Sequence, residues 1–189
     1  GCIEINPWNA RIGSLDKPDY IVIDLDPSNK NDFKQVIEVA QAFHHLLEEL
    51  KIDSYCKTSG SSGLHIYIPL GAKYTFEEGR DFCKLLCTIV QEQLPKLTTM
   101  ERPLKARKGR IYLDYLQNRP GQTLASVYCV RPKAGATVST PLLWKEVKSN
   151  LDKNDFTIFT VKDRLEKYPE LFTEILGKGA NIEKALEIL

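Results

Sequence analysis

Asp24 and Asp26 stand one residue apart in the apolar run Tyr20-Ile-Val-Ile-Asp-Leu-Asp26. In an extended strand, residues i and i+2 project from one face, so both carboxylates share a side with Val22 while Ile21, Ile23 and Leu25 take the other. Two acids held this close repel each other, and one is driven towards its neutral form unless a divalent cation such as Mg²⁺ or Mn²⁺ relieves the strain. A further acid comes from Arg110-Ile-Tyr-Leu-Asp-Tyr115, where Asp114 falls opposite the apolar Ile111, Leu113 and Tyr115. In Leu64-His-Ile-Tyr-Ile-Pro69, His65 and Tyr67 fall opposite Leu64, Ile66 and Ile68. If the three strands lie in one sheet with their apolar sides against helices, Asp24, Asp26, Asp114 and His65 share the other face. The ordinary alternative is that each acid caps a helix, ends a strand or pairs with a nearby cation.

A second kind of chemistry lies between two of these strands. Lys57-Thr-Ser-Gly-Ser-Ser-Gly-Leu-His65 places two glycines and several hydroxyls in a turn that can aim backbone N–H groups at an anion. It is not a Walker loop, since no Gly-Lys-Ser/Thr opens a helix after it. Of the nearby cations, Lys105, Arg107, Lys108, Arg110 and Lys133 read as surface charge. Arg131 stands before a proline, in a loop that could direct its fork at phosphate oxygens.

The elements that must position these residues are legible from periodicity. Val36, Val39, Ala40, Phe43, Leu46, Leu47 and Leu50 predict a helix over residues 32–51. Phe76, Phe82, Leu85, Leu86, Ile89 and Val90 predict another, reaching to about Pro95. His44 and His45 read as ordinary boundary residues on the first. Short strands are expected at residues 2–6, 53–57 and 156–161, and short helices at 141–150, 162–168 and 182–188. No linker or repeat interrupts the chain, so residues 1–189 read as a single domain.

Bulk properties set limits. The 189 residues, 42% of them hydrophobic, suffice for one substantial core. With Lys+Arg 26 against Asp+Glu 25 and a net charge of +1, contact with nucleic acid must come from local patches. Five scattered cysteines argue for reduced thiols, with Cys83 and Cys87 as helix core and no zinc spacing. There is no signal or transit peptide and no membrane-length apolar run, so the expected location is the cytoplasm.

Taken together, Asp24-Leu-Asp-Pro27, Lys57-Thr-Ser-Gly-Ser-Ser-Gly-Leu-His65, Asp114-Tyr-Leu-Gln-Asn118, Val130-Arg-Pro132 and Val138-Ser-Thr-Pro-Leu142 resemble the polymerase domain of bacterial DNA ligase D, in the archaeo-eukaryotic primase superfamily. The resemblance covers nearly the whole chain. It implies an α+β primase-polymerase module with an RNA-recognition-like antiparallel or mixed sheet, helices on one face and the active site on the other. It also implies gap filling and end extension in non-homologous end joining, with NTPs preferred over dNTPs, and Mn²⁺ or Mg²⁺ in a two-metal site. By matched position, Asp24, Asp26 and Asp114 would be catalytic metal ligands, and Ser59, His65, Gln117 and Arg131 would form the nucleotide site. The implied partners are DNA ends or gapped DNA with a 5′-phosphate, a ligase domain and Ku, with a nucleoid-associated role.

Two departures shape the expectation. Ser62 stands where the family pattern has a lysine, which removes one phosphate-binding cation. The chain reads as a piece lacking a preceding segment with base-stacking aromatics and a 5′-phosphate pocket, so it is expected to bind metal and nucleotide but to polymerise poorly. Two other functions use the same residues: a metal-dependent nuclease or phosphoesterase, and a non-catalytic sheet on which Tyr67 and Tyr112 stack bases.

Overall fold

In the computed structural model, which describes residues 2–169 and 171–189, a central strand β1 (Tyr20–Asp26) runs between two antiparallel neighbours. On one side is β3 (Leu64–Pro69), followed outward by β2 (Tyr55–Thr58) and β6 (Pro141–Leu142). On the other is β5 (Ile111–Asp114), with β4 (Thr98–Thr99) parallel to it at the edge. The six-stranded mixed sheet therefore has the order β4-β5-β1-β3-β2-β6.

The alternation in sequence becomes two different faces. Ile21, Ile23, Leu25, Leu64, Ile66, Ile68, Ile111 and Leu113 are fully buried in one core with α1 (Phe33–Glu49) and α2 (Phe76–Gln93). Both helices start at reciprocal caps, Asp32 with Gln35 and Thr75 with Glu78, each satisfying backbone N–H groups that the first turn leaves unpaired. Lys51, at φ 57°, turns the chain out of α1, and α2 stops before Pro95. Removing these apolar side chains from water is the main force holding helices to sheet.

The opposite face is only partly open. Val22 and Tyr67 pack there with Phe172, and Tyr20, Tyr55, Leu124, Val127 and Ile175 surround them. This second cluster covers the end of the sheet where β1 begins and reaches towards the acidic end only through Leu124.

Several expected elements differ. Residues 2–6 are not a strand, although Ser126 and Val130 donate to the carbonyls of Ile5 and Ile3. Residues 141–150 begin as β6, because Cys56 and Lys57 pair with Leu142 and Pro141, and the helical part shrinks to a 3₁₀ turn at Trp144–Glu146. Residues 156–161 give a single bridge, Thr137 to Thr157, and then a turn closed by Thr160 Oγ1. α4 (Val161–Lys167) and α5 (Ile182–Leu186) match expectation within a residue or two. Also unforeseen are β4 and the one-turn α3 (Leu104–Arg107). All five cysteines are free, and Cys83 and Cys87 are buried in the core. Among the described residues no helix is long and apolar enough to cross a membrane.

Candidate active site

Strand register decides which side chains meet. Asp24 is paired with Asp114 on one side and with His65 on the other, and His65 is paired with Lys57. One cross-strand row therefore reads Asp114, Asp24, His65, Lys57, all on the face away from α1 and α2. Directly opposed residues in antiparallel strands have Cβ atoms about 4.5–5.5 Å apart, so these groups feel each other. Asp26 lies two residues further along β1, opposite Tyr112.

The row is electrostatically unsettled. Burial, and then the charges of Asp26 and Asp114, raise the Asp24 carboxyl to about 7. Burial, with Lys57 and Arg131 nearby, pushes the His65 imidazole well below its usual value, so it stays neutral. Its Nε2 lies 3.5 Å from Asp24 Oδ1, and its buried Nδ1 has no hydrogen-bond partner among the described residues. The outer acids are better satisfied. Asp26 Oδ2 accepts from Arg107 Nη1 at 2.7 Å. Asp114 accepts from Leu116 N at 2.8 Å, Tyr112 Oη at 3.2 Å and Gln117 Nε2 at 3.3 Å.

Beside the acids, the turn after β2 is folded on Ser59. Its Oγ accepts from Ser61 N at 3.1 Å and Gly63 N at 3.0 Å, which leaves its own hydroxyl proton free to donate. Gly63 is required at this point: a Cβ would lie 2.0 Å from Leu25 O, so only glycine lets the turn approach β1. A cavity of about 320 Å³ opens between the turn and the acids. Asp24, Asp26, Ser59, Ser62, His65 and Arg131 all line it, as do Asn6 and the loop residues Thr123 to Ala125. Asp114 and Gln117 are not in that lining; Asp114 joins through its pairing with Asp24, and Gln117 through its hydrogen bond to Asp114.

Two residues of this site escaped the sequence reading. Lys57 is fully buried, and burial lowers its ammonium to about 7. Its Nζ donates to Ser139 Oγ at 2.5 Å. The signal was its parity with His65 across a predicted hairpin, which places it on the chemical face. Arg107 is not surface charge: it is buried, paired with Asp26 and stacked 4.2 Å from the Tyr112 ring centroid. Nothing local in Lys105-Ala-Arg-Lys108 distinguishes it. Base stacking on Tyr67 and Tyr112 is closed off, because these rings are 4% and 2% exposed.

Among the described residues no three His, Cys, Asp or Glu side chains converge into a ready metal cluster. The cause is visible, since Arg107 draws Asp26 aside and three donors hold Asp114. The donor chemistry nonetheless fits a hard divalent cation: three carboxylates lie on one face, and the central one, Asp24, is half-buried and unsettled by the charges of the other two.

With this geometry in view, comparison with known proteins is informative. A bifunctional non-homologous end joining protein LigD from Bacillus subtilis (strain 168) is 42% identical over 152 residues, covering 80% of this chain and 25% of that protein. A multifunctional non-homologous end joining protein LigD from Pseudomonas aeruginosa is 32% identical over 167 residues, covering 88% of this chain and 20% of its own length. The chain thus spans a quarter or less of the curated relatives it matches. Among solved structures, the polymerase domain of Mycobacterium tuberculosis ligase D in complex with DNA superposes with a TM-score of 0.79 over 95% of this chain and 63% of that one. Identity there is 24%, so the likeness is one of fold. The family model described as the LigD primase-polymerase domain matches residues 1–172, and the chain belongs to that family.

Proposed function

We propose that residues 1–189 act as a primase-polymerase domain that transfers a nucleotide from an NTP or dNTP to a DNA primer end, filling gaps and extending ends in non-homologous end joining. The observation that carries this reading is the shared cavity: Asp24 and Asp26 face the same space as the Ser59 turn, His65 and Arg131. Hydrolysis with water as nucleophile needs the acids alone, whereas a triphosphate needs a cradle beside them.

In the reaction, the primer 3′-hydroxyl gives up its proton to solvent and its oxygen forms a bond to the α-phosphorus, the bridge to the β-phosphate breaks, and pyrophosphate leaves. Mn²⁺ or Mg²⁺ held by Asp24, Asp26 and Asp114 would supply the positive charge that activates the hydroxyl and offsets the leaving group. The chain's own residues bind and orient. Arg131 Nε and Nη1 are engaged by Glu4 and Ser59, leaving Nη2 to donate to phosphate oxygens. Ser59 donates its hydroxyl proton from the turn, and neutral His65 has one N–H to offer without adding charge. Gln117 acts through Asp114, fixing the carboxylate by a hydrogen bond. The partners on this reading are DNA ends or gapped DNA with a 5′-phosphate, a ligase domain and Ku, in the bacterial cytoplasm.

The test is primer-dependent release of pyrophosphate from ATP in the presence of Mn²⁺. Release that is lost in Asp24→Asn and Asp114→Asn supports nucleotidyl transfer. Nucleoside monophosphates appearing from the DNA instead, with no pyrophosphate, would replace it with the nuclease reading.

A further inference from the structure

The arginine expected to meet the phosphates is already paired with an acid, Glu4. Glu4 belongs to the segment before β1, and it is placed firmly. Val130 N donates to Ile3 O at 3.1 Å and Ser126 N to Ile5 O at 2.9 Å, while Ile5 N donates to Cys129 Sγ at 3.1 Å. Ile3 and Ile5 are exposed, whereas Glu4 is half-buried and reaches Arg131: Oε2 accepts from Nε at 3.0 Å, with the two side chains 29% and 21% exposed. The arginine is held from its other side too. Its Nη1 donates to Ser59 O at 2.7 Å, and its stem lies so close over Gly60 that a Cβ there would sit 2.6 Å from Arg131 Cγ.

A carboxylate bonded to an arginine that lines a phosphate cavity costs anion affinity by offsetting the arginine's charge unless it gives something back. What it gives here is direction. An arginine side chain has many rotamers, and fixing one of them in advance lowers the entropy lost on binding. With Nε on Glu4 and Nη1 on Ser59, the guanidinium plane is fixed at two points and its third nitrogen is left over. We infer that Glu4 is a positioning residue, which orients Arg131 so that Nη2 faces the phosphates of the incoming nucleotide and which ties the Ser59 turn to the segment before β1.

This inference rests on Arg131 being a phosphate ligand, so its test has one arm independent of polymerisation. In Glu4→Gln the KM for MnATP is expected to rise about tenfold, with kcat within about twofold of the wild type. Glu4→Asp should recover part of the loss. In an Arg131→Ala background, Glu4→Gln should have no further effect. Calorimetric titration with inorganic tripolyphosphate should show the same weakening without any primer. A lower KM in Glu4→Gln would mean that Glu4 competes with the nucleotide and would overturn the proposal. So would an unchanged KM, or equal losses with and without Arg131. A wild type that binds tripolyphosphate yet adds no nucleotide would refute the proposed function and leave Glu4's role to the titration; a wild type that does not bind tripolyphosphate refutes the Glu4 role itself.

Discussion

The half-buried Asp24 and the fully buried Lys57 both have disfavoured ionised forms, and their consequences for stability run in opposite directions. Asp24 is held near 7 in the folded protein against 3.8 as an isolated group. Between these values the unfolded chain has lost the proton and the folded one has kept it, so stability falls as pH rises through this window and the full penalty from this group is reached by about 7. Lys57 is lowered to about 7 from 10.5, so stability is recovered as pH rises from about 7 towards 10.5. The metal-free protein should therefore be least stable near neutrality, by an amount on the order of a few kcal/mol. Urea unfolding across pH 4.5–9.5 checks this: Asp24→Asn should remove the acid-side slope and be more stable than the wild type at pH 7, and Lys57→Met should flatten the alkaline side. A wild-type profile level between pH 4.5 and 7 would refute the Asp24 part. The acids were readable in the sequence because an aspartate inside an apolar strand has no packing reason to be there. Arg107 was not, because its burial depends on how α3 meets β5, a tertiary relation with no local signal.

At the scale of elements, the ladder around β1 has a gap that one side chain fills. β5 ends at Asp114, yet Val22 still presents its N–H and C=O on that side. Asn118 takes both, with Val22 N donating to Oδ1 and Nδ2 donating to Val22 O, each at 2.7 Å. The same residue anchors the loop that brings Gln117 to Asp114. Asn118→Ala should leave the buried Val22 N–H unpaired and its carbonyl with only the weak Cys83 thiol donor, and cost about 1–3 kcal/mol in urea denaturation, with slower nucleotide addition as the loop loosens. A cost under about 0.5 kcal/mol would show that the loop is held by other contacts. Strand parity along β1, β3 and β5 was fully legible, since a one-residue slip would bury the acids and expose the isoleucines. The segments at 141–150 and 156–161 were misread for one physical reason. Their residues answer to partners far away in sequence, β2 for the first and Ala136 and Thr137 for the second, and propensity within a window carries no trace of such pairing.

For the whole molecule, the two faces of the sheet divide the labour. One face is given over to the hydrophobic core beneath α1 and α2, which makes the scaffold rigid. The other is split, with the Val22–Tyr67–Phe172 cluster at one end and the cavity of charged and hydroxyl groups at the other. The sequence showed which residues face away from the core but not that part of this face would be covered, because Phe172 lies more than a hundred residues from its packing partners on β1 and β3. Within a chain of net charge +1, Arg107 and Arg131 are the cations that the fold brings beside the acidic end of the sheet, each already paired with a carboxylate. The most direct test of the central claim is to incubate the protein with Mn²⁺, ribonucleotides and a gapped duplex bearing a 5′-phosphate and a labelled primer, beside Asp24→Ala. The account predicts a primer lengthened by added nucleotides in the wild type and unchanged in the variant; a primer that shortens, or that the variant lengthens equally well, would contradict it.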